Sequence, residues 1–392
     1  MSALTQVAGT TLLGDDGSVS SVTLGETPTR IRPTAPITAR TAYAAAHVVP
    51  KTWAENVPGA PAEIDWDATL EFRRHLWSWG LGVADAMDTA QRNMGLDAAA
   101  TRELIARSTR EARSVGGSIV VGVNTDHLDD EVVSLPQVRD AYIEQLEYAE
   151  GEGAGVVLMA SRHLARAATS AGDYQSVYDE VIERATSPVI LHWLGEAFDP
   201  ALAGYWGSRA VPEAAETVRS LIADHPDRVS GIKMSLLDAS SEVALRRRLP
   251  PSARMFTGDD FNYVGLIEGD EHGHSDALLG AFAAIAPSAS TGLQALDAGD
   301  IDAYRAILGP TEALSRQIFR APTPFYKTGI AFLAWLNGHQ PSFSMVGGLH
   351  AARSLPHLSE IVRLADDCGA LEQPELAAAR WNSMLALNGI ER

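Results

Sequence analysis

Cysteine is all but missing from this 392-residue chain. Cys368 stands alone, which excludes an internal disulfide and a cysteine-based metal site. Long apolar runs are missing too: none reaches the roughly 20 residues that a membrane-spanning helix needs. The first residues, MSALTQVAGTTLLGDDGS, lack a basic start followed by an apolar core. No secretory signal is therefore expected, and a reducing cytoplasm is the expected location. Positive charge is scarce, with 31 Lys and Arg against 50 Asp and Glu, a formal net charge of -19. That balance argues against nucleic acid and anionic membranes as partners. It leaves the substrate open, because a cationic pocket can sit inside an acidic protein. Low-complexity runs and internal repeats are absent. What the chain has in quantity is apolar, 46% of its residues, ample for a sizeable core.

The order of the segments predicts the fold. Thr10 to Leu13 and Val19 to Leu24 flank the turn-rich Gly14-Asp15-Asp16-Gly17-Ser18, so residues 4–32 read as a hairpin extension. Pro28, Pro33 and Pro36 follow as a stiff connector. A hairpin this short buries no core of its own and is expected to pack on the main body. From residue 37 the pattern turns to strand, loop and helix, repeatedly. Strands are predicted within Ile37 to Val49, at Leu81 to Ala84, Ser118 to Val123, Gly155 to Ala160, Pro188 to Trp193, Val229 to Met234, Arg254 to Thr257 and around Gly273 to Leu278. Helices capped by Asp65 and Asp97, and others over about 135–150, 173–185 and 212–224, separate them. Eight strand–helix units imply a closed (β/α)8 (TIM) barrel rather than an open sheet. No Gly-x-Gly-x-x-Gly follows the first strand, which disfavours a dinucleotide fold. The expected organisation is a hairpin extension over 1–36, the barrel over 37–290 and a C-terminal helical region over 291–392.

In such barrels the chemistry sits at the C-terminal strand ends. Those ends are predicted to carry His47, Asp88, Asn124, Asp126, His127, His163, His192, Lys233, Asp259, Asp260, His272 and His274. Lys233 stands out, because burying an ammonium in an apolar strand costs several kcal/mol unless it is paired or neutralised. Either it snorkels to a carboxylate, or its amine is kept neutral and nucleophilic. His192, between Leu191 and Trp193, is either a satisfied core histidine or a proton carrier. Asp259 and Asp260 also suit helix capping at Phe261. His163 also fits a capping or surface role. Glu268 to His274 is either a solvated acidic turn or a source of ligands, and Arg246-Arg247-Arg248 reads as a solvated face.

Residues 153–288, with Pro322 to Lys327 beyond them, resemble the dihydrodipicolinate synthase and N-acetylneuraminate lyase superfamily of class I aldolases. The resemblance rests on motifs in order. Gly153 to Met159 looks like that family's fourth strand, and Tyr174-Gln175-Ser176-Val177-Tyr178 like the helix after it. Ser187 to His192 looks like the strand that ends in the catalytic tyrosine. Gly231-Ile232-Lys233 matches the Schiff-base lysine motif, and Phe256-Thr257-Gly258-Asp259-Asp260 the segment that follows. Pro322-Thr323-Pro324-Phe325-Tyr326-Lys327 resembles the start of the C-terminal helices. The chain is most similar to a distant, uncharacterised dihydrodipicolinate synthase-like branch.

The resemblance implies a Schiff-base lyase, aldolase or dehydratase with Lys233 as nucleophile and His192 as proton shuttle in place of the tyrosine. It implies no cofactor and a homo-oligomer, dimer or tetramer. Asp88, Thr89, Asn124, His163, Asp259 and His274 are the expected substrate contacts. Two departures bear on the substrate. The family's Gly-Thr-Thr-Gly-Glu type loop for a keto-acid carboxylate is replaced by Asp88-Thr89-Ala90-Gln91, where an added carboxylate disfavours pyruvate. No arginine occurs in Gly195 to Pro200, which suggests a less anionic second substrate such as a polyol or sugar-derived carbonyl compound. Two alternatives stand beside this reading. One is a metal-dependent barrel enzyme on a sugar or polyol, drawing on His47, Asp88, His127, His192 and His274. The other is a non-catalytic small-molecule sensor on an aldolase scaffold.

Overall fold

A strand that is apolar on both faces needs cover on both faces, and a parallel sheet wrapped in helices supplies it. The protein is described here by a computed structural model over residues 9–390. Two antiparallel strands come first, β1 (Gly9–Leu13) and β2 (Val19–Thr23). Eight parallel strands follow: β3 (Ala42–Ala45), β4 (Gly82–Asp85), β5 (Ile119–Val123), β6 (Gly155–Leu158), β7 (Val189–Leu194), β8 (Val229–Ser235), β9 (Arg254–Thr257) and β10 (Asp276–Leu279). They close in sequence order, β10 pairing with both β9 and β3. The expected (β/α)8 barrel is thus observed.

Strand side chains alternate between the barrel interior and the helices. Ala45, Ala84, Val120, Val157, Ile190, Phe256 and Leu278 fill the interior as one apolar cluster. Their outward neighbours join the larger cluster beneath the helices. A bulge in β8 decides where Lys233 points. Val189 pairs with Val229, but Ile190 pairs with Gly231, so Ser230 is the extra residue. A shift of one residue exchanges the two faces of a strand. After the bulge Gly231 faces the interior opposite Ile190, and Lys233 does so opposite His192. Gly231 has no freedom to vary, since a Cβ there would come within 2.5 Å of the Arg254 carbonyl oxygen.

Helix Trp66–Ser78, capped by Asp65 as expected, ties its face to the barrel through a buried ion pair. Arg73 donates to both oxygens of Asp85 at 2.8 and 2.7 Å, and to the carbonyls of His47 and Thr69 at 2.9 and 2.8 Å. Both side chains are fully buried. Removing one partner strands the other charge in a dry interior. Arg73→Met is expected to lower unfolding free energy by about 3–5 kcal/mol in urea titration, and the Arg73→Met/Asp85→Leu double variant to recover most of it.

The hairpin sits on the C-terminal helices rather than on the barrel. The Trp381 indole donates to the Thr11 carbonyl at 2.8 Å, and the Leu13 amide to Ser359 at 2.7 Å. These partners lie on helices Pro374–Leu387 and Leu355–Asp367. The part of the expected hairpin before residue 9 lies outside the described residues. Among the described residues no helix is long and apolar enough to cross a membrane.

Candidate active site

β7 and β8 bring His192 and Lys233 side by side in register, both facing the barrel interior and both two residues before the C-terminal end of their strand. Lys233 keeps only 6% of its surface exposed. Its ammonium makes no hydrogen bond and no direct ion pair with any described residue. Burial pushes its pKa below the usual lysine value, against the opposing pull of Asp88 and Asp260. Its stem lies where a side chain on residue 258 would be: a Cβ on Gly258 would come within 2.7 Å of the Lys233 Cε and 2.1 Å of the Ser235 hydroxyl.

His192 is fully buried. Its Nε2 meets the Ser235 hydroxyl at 3.2 Å, while Nδ1 has no partner. Burial, reinforced by Lys233, holds its pKa well below the ordinary histidine value against the pull of Asp88. That direction favours the neutral imidazole, whose two nitrogens can donate and accept hydrogen bonds beside Lys233.

Asp88 and Thr89 occupy a single 3-10 turn beyond β4. The turn is reached through Ala86 and left through Gln91 and Asn93, all three at positive φ, a conformation that costs roughly 1–3 kcal/mol for side chains of this kind and concentrates at functional loops. Burial would raise the Asp88 pKa, but Lys327, Lys233, His192 and the Tyr326 hydroxyl together hold it below the usual carboxylate value. Tyr326 donates to Asp88 Oδ2 at 2.9 Å, and the same phenol oxygen lies 2.5 Å from the Thr89 hydroxyl. A phenol has one proton. With that proton on Asp88, the Thr89 hydroxyl must donate to Tyr326, and the three form a directed chain ending on Asp88. Lys327, the next residue, is also buried. Its ammonium donates to the Pro324 carbonyl at 3.1 Å and stands 3.9 Å from Asp88 Oδ2. Asp260 accepts from the Ala281 amide at 2.8 Å, and burial raises its pKa to about 8.

A cavity of about 370 Å³ opens at Asp88 and Lys327, and its wall also includes Asn124, Met159, Arg162 and His163, with Lys233 and His192 lying deeper, off its wall. The structure therefore brings Lys233, His192, Asp88, Thr89, Asn124 and His163 to one end of the barrel. His163 accepts or donates at Nδ1 with the Thr125 hydroxyl, 2.8 Å away.

Other expectations need correction. His274 precedes β10 and lines a different cavity with Thr41 and Arg254, residues that enter their strands. It lies at the opposite, N-terminal end: the eighth strand is Asp276–Leu279, and His274 stands at its entry rather than at the C-terminal end where it was expected. Asp259 turns both oxygens to local capping, accepting from the Phe261 amide at 2.9 Å, the Asn262 amide at 3.1 Å and the Asn262 side chain at 2.9 Å. The metal pool is dispersed. His47 is spent on Gln340 at 2.8 Å, and His127 bonds to Gln145 in a separate cleft. No metal-holding group among the described residues includes any member of that pool.

Tyr326 and Lys327 were not anticipated as site residues, and Asp260 only as one of the polar residues at the strand ends. One signal pointed to the lysines. Of the 31 basic residues only three are lysine, Lys51, Lys233 and Lys327, and two of the three meet here. Arginine covers the surface; lysine is kept where an amine with an adjustable pKa is of use.

A family model described as "Protein of unknown function (DUF993)" matches residues 10–390. No curated protein matches the sequence. Among solved structures, dihydrodipicolinate synthase from Aquifex aeolicus is similar with a TM-score of 0.64 and 14% identity, over 84% of this chain and 97% of that one. A prophage protein of the dihydrodipicolinic acid synthase family from E. coli K12, solved with pyruvate, gives 0.63 and 17%, over 84% and 98%. A monomeric dihydrodipicolinate synthase variant gives 0.63 and 15%, over 86% and 99%. At these identities the likeness establishes a shared fold.

Proposed function

The chain belongs to the DUF993 family of proteins of unknown function, and from that premise we propose that it is a Schiff-base-forming lyase or aldolase acting through Lys233. The observation that carries this reading is the buried Lys233 ammonium, which has no direct partner and a lowered pKa. A lysine kept for structure would be paired; one kept for chemistry is left free and destabilised in its charged form.

The neutral amine attacks a substrate carbonyl carbon, and the carbonyl oxygen takes a proton to give a carbinolamine. Tyr326 relays that proton to the oxygen from the attacking nitrogen, which the attack leaves positively charged, while Thr89 and Asp88 hold the phenol in place by the hydrogen bonds they share with it. Loss of water leaves an iminium, which accepts the electron pair of the adjacent carbon–carbon bond as it breaks, or activates that carbon as an enamine for bond formation. Water then restores the amine. The orphaned Nδ1 of His192 offers the carbinolamine a hydrogen bond, satisfying a buried group whose isolation costs about 1–3 kcal/mol.

The substrate is best read as a small carbonyl compound with an anionic group. Asp88 alone would repel a carboxylate, but its charge is matched by Lys327. Arg162, 51% exposed on the cavity wall though engaged with Asp199, adds a cation that Gly195 to Pro200 does not provide. A 2-keto acid, including one derived from a sugar, fits this balance better than a neutral polyol. The prophage relative's pyruvate complex supports the same substrate class. In this reading Asn124 and His163, on the cavity wall, bind hydroxyls of the second part.

Incubation with a panel of 2-keto acids and keto-sugars plus borohydride, read by intact mass, tests this. The expected result is one reduced adduct per chain, absent in Lys233→Ala. No adduct with any carbonyl compound, alongside turnover that survives Lys233→Ala, overturns it. A subtler expectation concerns Asp260, whose carboxyl helps to retain the Lys233 proton. In Asp260→Asn the lysine pKa falls further, so the rising alkaline limb of kcat/KM against pH is expected to move to lower pH.

A further inference from the structure

Three side chains from separate segments converge away from the barrel mouth. His75 lies in the last turn of helix Trp66–Ser78, His339 just beyond helix Tyr326–Leu336, and Glu372 before helix Pro374–Leu387. The two imidazole centroids are 4.0 Å apart. His339 Nε2 is 2.7 Å from Glu372 Oε1, and His75 Nε2 is 3.9 Å from the same oxygen. One ligand atom from each residue lies within 4.8 Å of the other two.

Ligands at about 2.0–2.1 Å from a tetrahedral zinc ion stand about 3.3 Å apart. The two measured spacings fall on either side of that value, so small side-chain rotations suffice. His75 makes no hydrogen bond through its ring to a described residue, which leaves it available. Phe72 lies 6.0 Å from the His75 ring and 5.8 Å from that of His339, restricting both. A cavity of about 440 Å³ borders the two histidines and offers room for water as a fourth ligand. It shares no lining residue with the cavity at the barrel mouth.

We propose that His75, His339 and Glu372 bind one divalent transition-metal ion, zinc by the preference of a two-imidazole, one-carboxylate set. On binding, the ion replaces the His339–Glu372 hydrogen bond, and the His339 ring proton resides on Nδ1. The site has a structural role: it clamps the segments around His339 and Glu372 to the helix that also carries Arg73. Magnesium and calcium, which favour all-oxygen shells, do not compete for it.

Chelator-treated protein titrated with zinc chloride tests the proposal by calorimetry, with thermal unfolding in parallel. The expected result is one ion per chain and a Tm rise of a few degrees at saturating metal. Cobalt(II) in place of zinc is expected to give the visible absorption of a four-coordinate site. Both signals are lost in His339→Ala and in Glu372→Gln, while borohydride trapping at Lys233 is unchanged. Absence of stoichiometric binding overturns the proposal, as does binding that persists in both variants. The outcome is independent of the Schiff-base reading, which trapping at Lys233 alone decides.

Discussion

Lys233→Met is expected to abolish turnover while making the folded protein more stable. Methionine keeps the length and apolar stem that pack against Gly258 but has no amine, so no imine forms. The expected loss in kcat/KM is on the order of 10⁴-fold or more, since the nucleophile and every step that follows are removed together. The stability gain follows from linkage. A lysine whose folded pKa is depressed binds its proton less well folded than unfolded. Below the folded pKa the native state carries the full penalty. The penalty shrinks as pH rises through the window up to the unfolded value of 10.5. Lys233→Met removes that penalty, so its Tm advantage is expected at neutral pH and is expected to fade in alkali. Thermal scans between pH 6 and 10 beside the kinetics separate this from a variant that merely misfolds. A Tm below wild type at pH 7 would contradict the idea that the site stores strain in the buried amine.

The barrel was legible because its strands are short apolar runs at regular spacing, and Arg254–Thr257 was found to the residue. Lys233 was legible for the same reason, as a charge set in a run where none is expected. Its inward direction was not, because it depends on a bulge at Ser230 that alternation alone does not reveal. His274 was misplaced because it enters the eighth strand, Asp276–Leu279, rather than leaving it, so it belongs to the opposite end of the barrel. Tyr326 and Lys327 were hidden by their helix, Tyr326–Leu336, of which nearly every residue is buried. A helix with no polar face gives no sign of which side meets a cavity. Gly195 to Pro200 carries no arginine, and the cations on the cavity wall come from elsewhere in the chain, Lys327 from a helix far along it and Arg162 from the start of the short helix after β6.

Asp88→Asn should show most plainly that the site works as one electrostatic unit. The native carboxylate, held below the usual pKa, stabilises the fold above its unfolded value of 3.8, and that contribution is lost as pH falls through the folded value. Asparagine keeps the shape and removes the charge. Lys327 then loses its close carboxylate and keeps only the weaker pull of Asp199, and a loss on the order of 3 kcal/mol is expected near neutrality. It eases as pH rises and Lys327, already depressed by burial, gives up its proton. Activity is expected to fall about 10²–10⁴-fold, because the Thr89–Tyr326 chain no longer ends on an anion. Adding Lys327→Met separates the two effects. The double variant removes the stranded ammonium and should regain most of the lost stability in urea titration, yet remain as slow as the single variant. Recovery of turnover along with stability would mean that Asp88 serves only to neutralise Lys327, and that the proton for the carbinolamine comes from elsewhere.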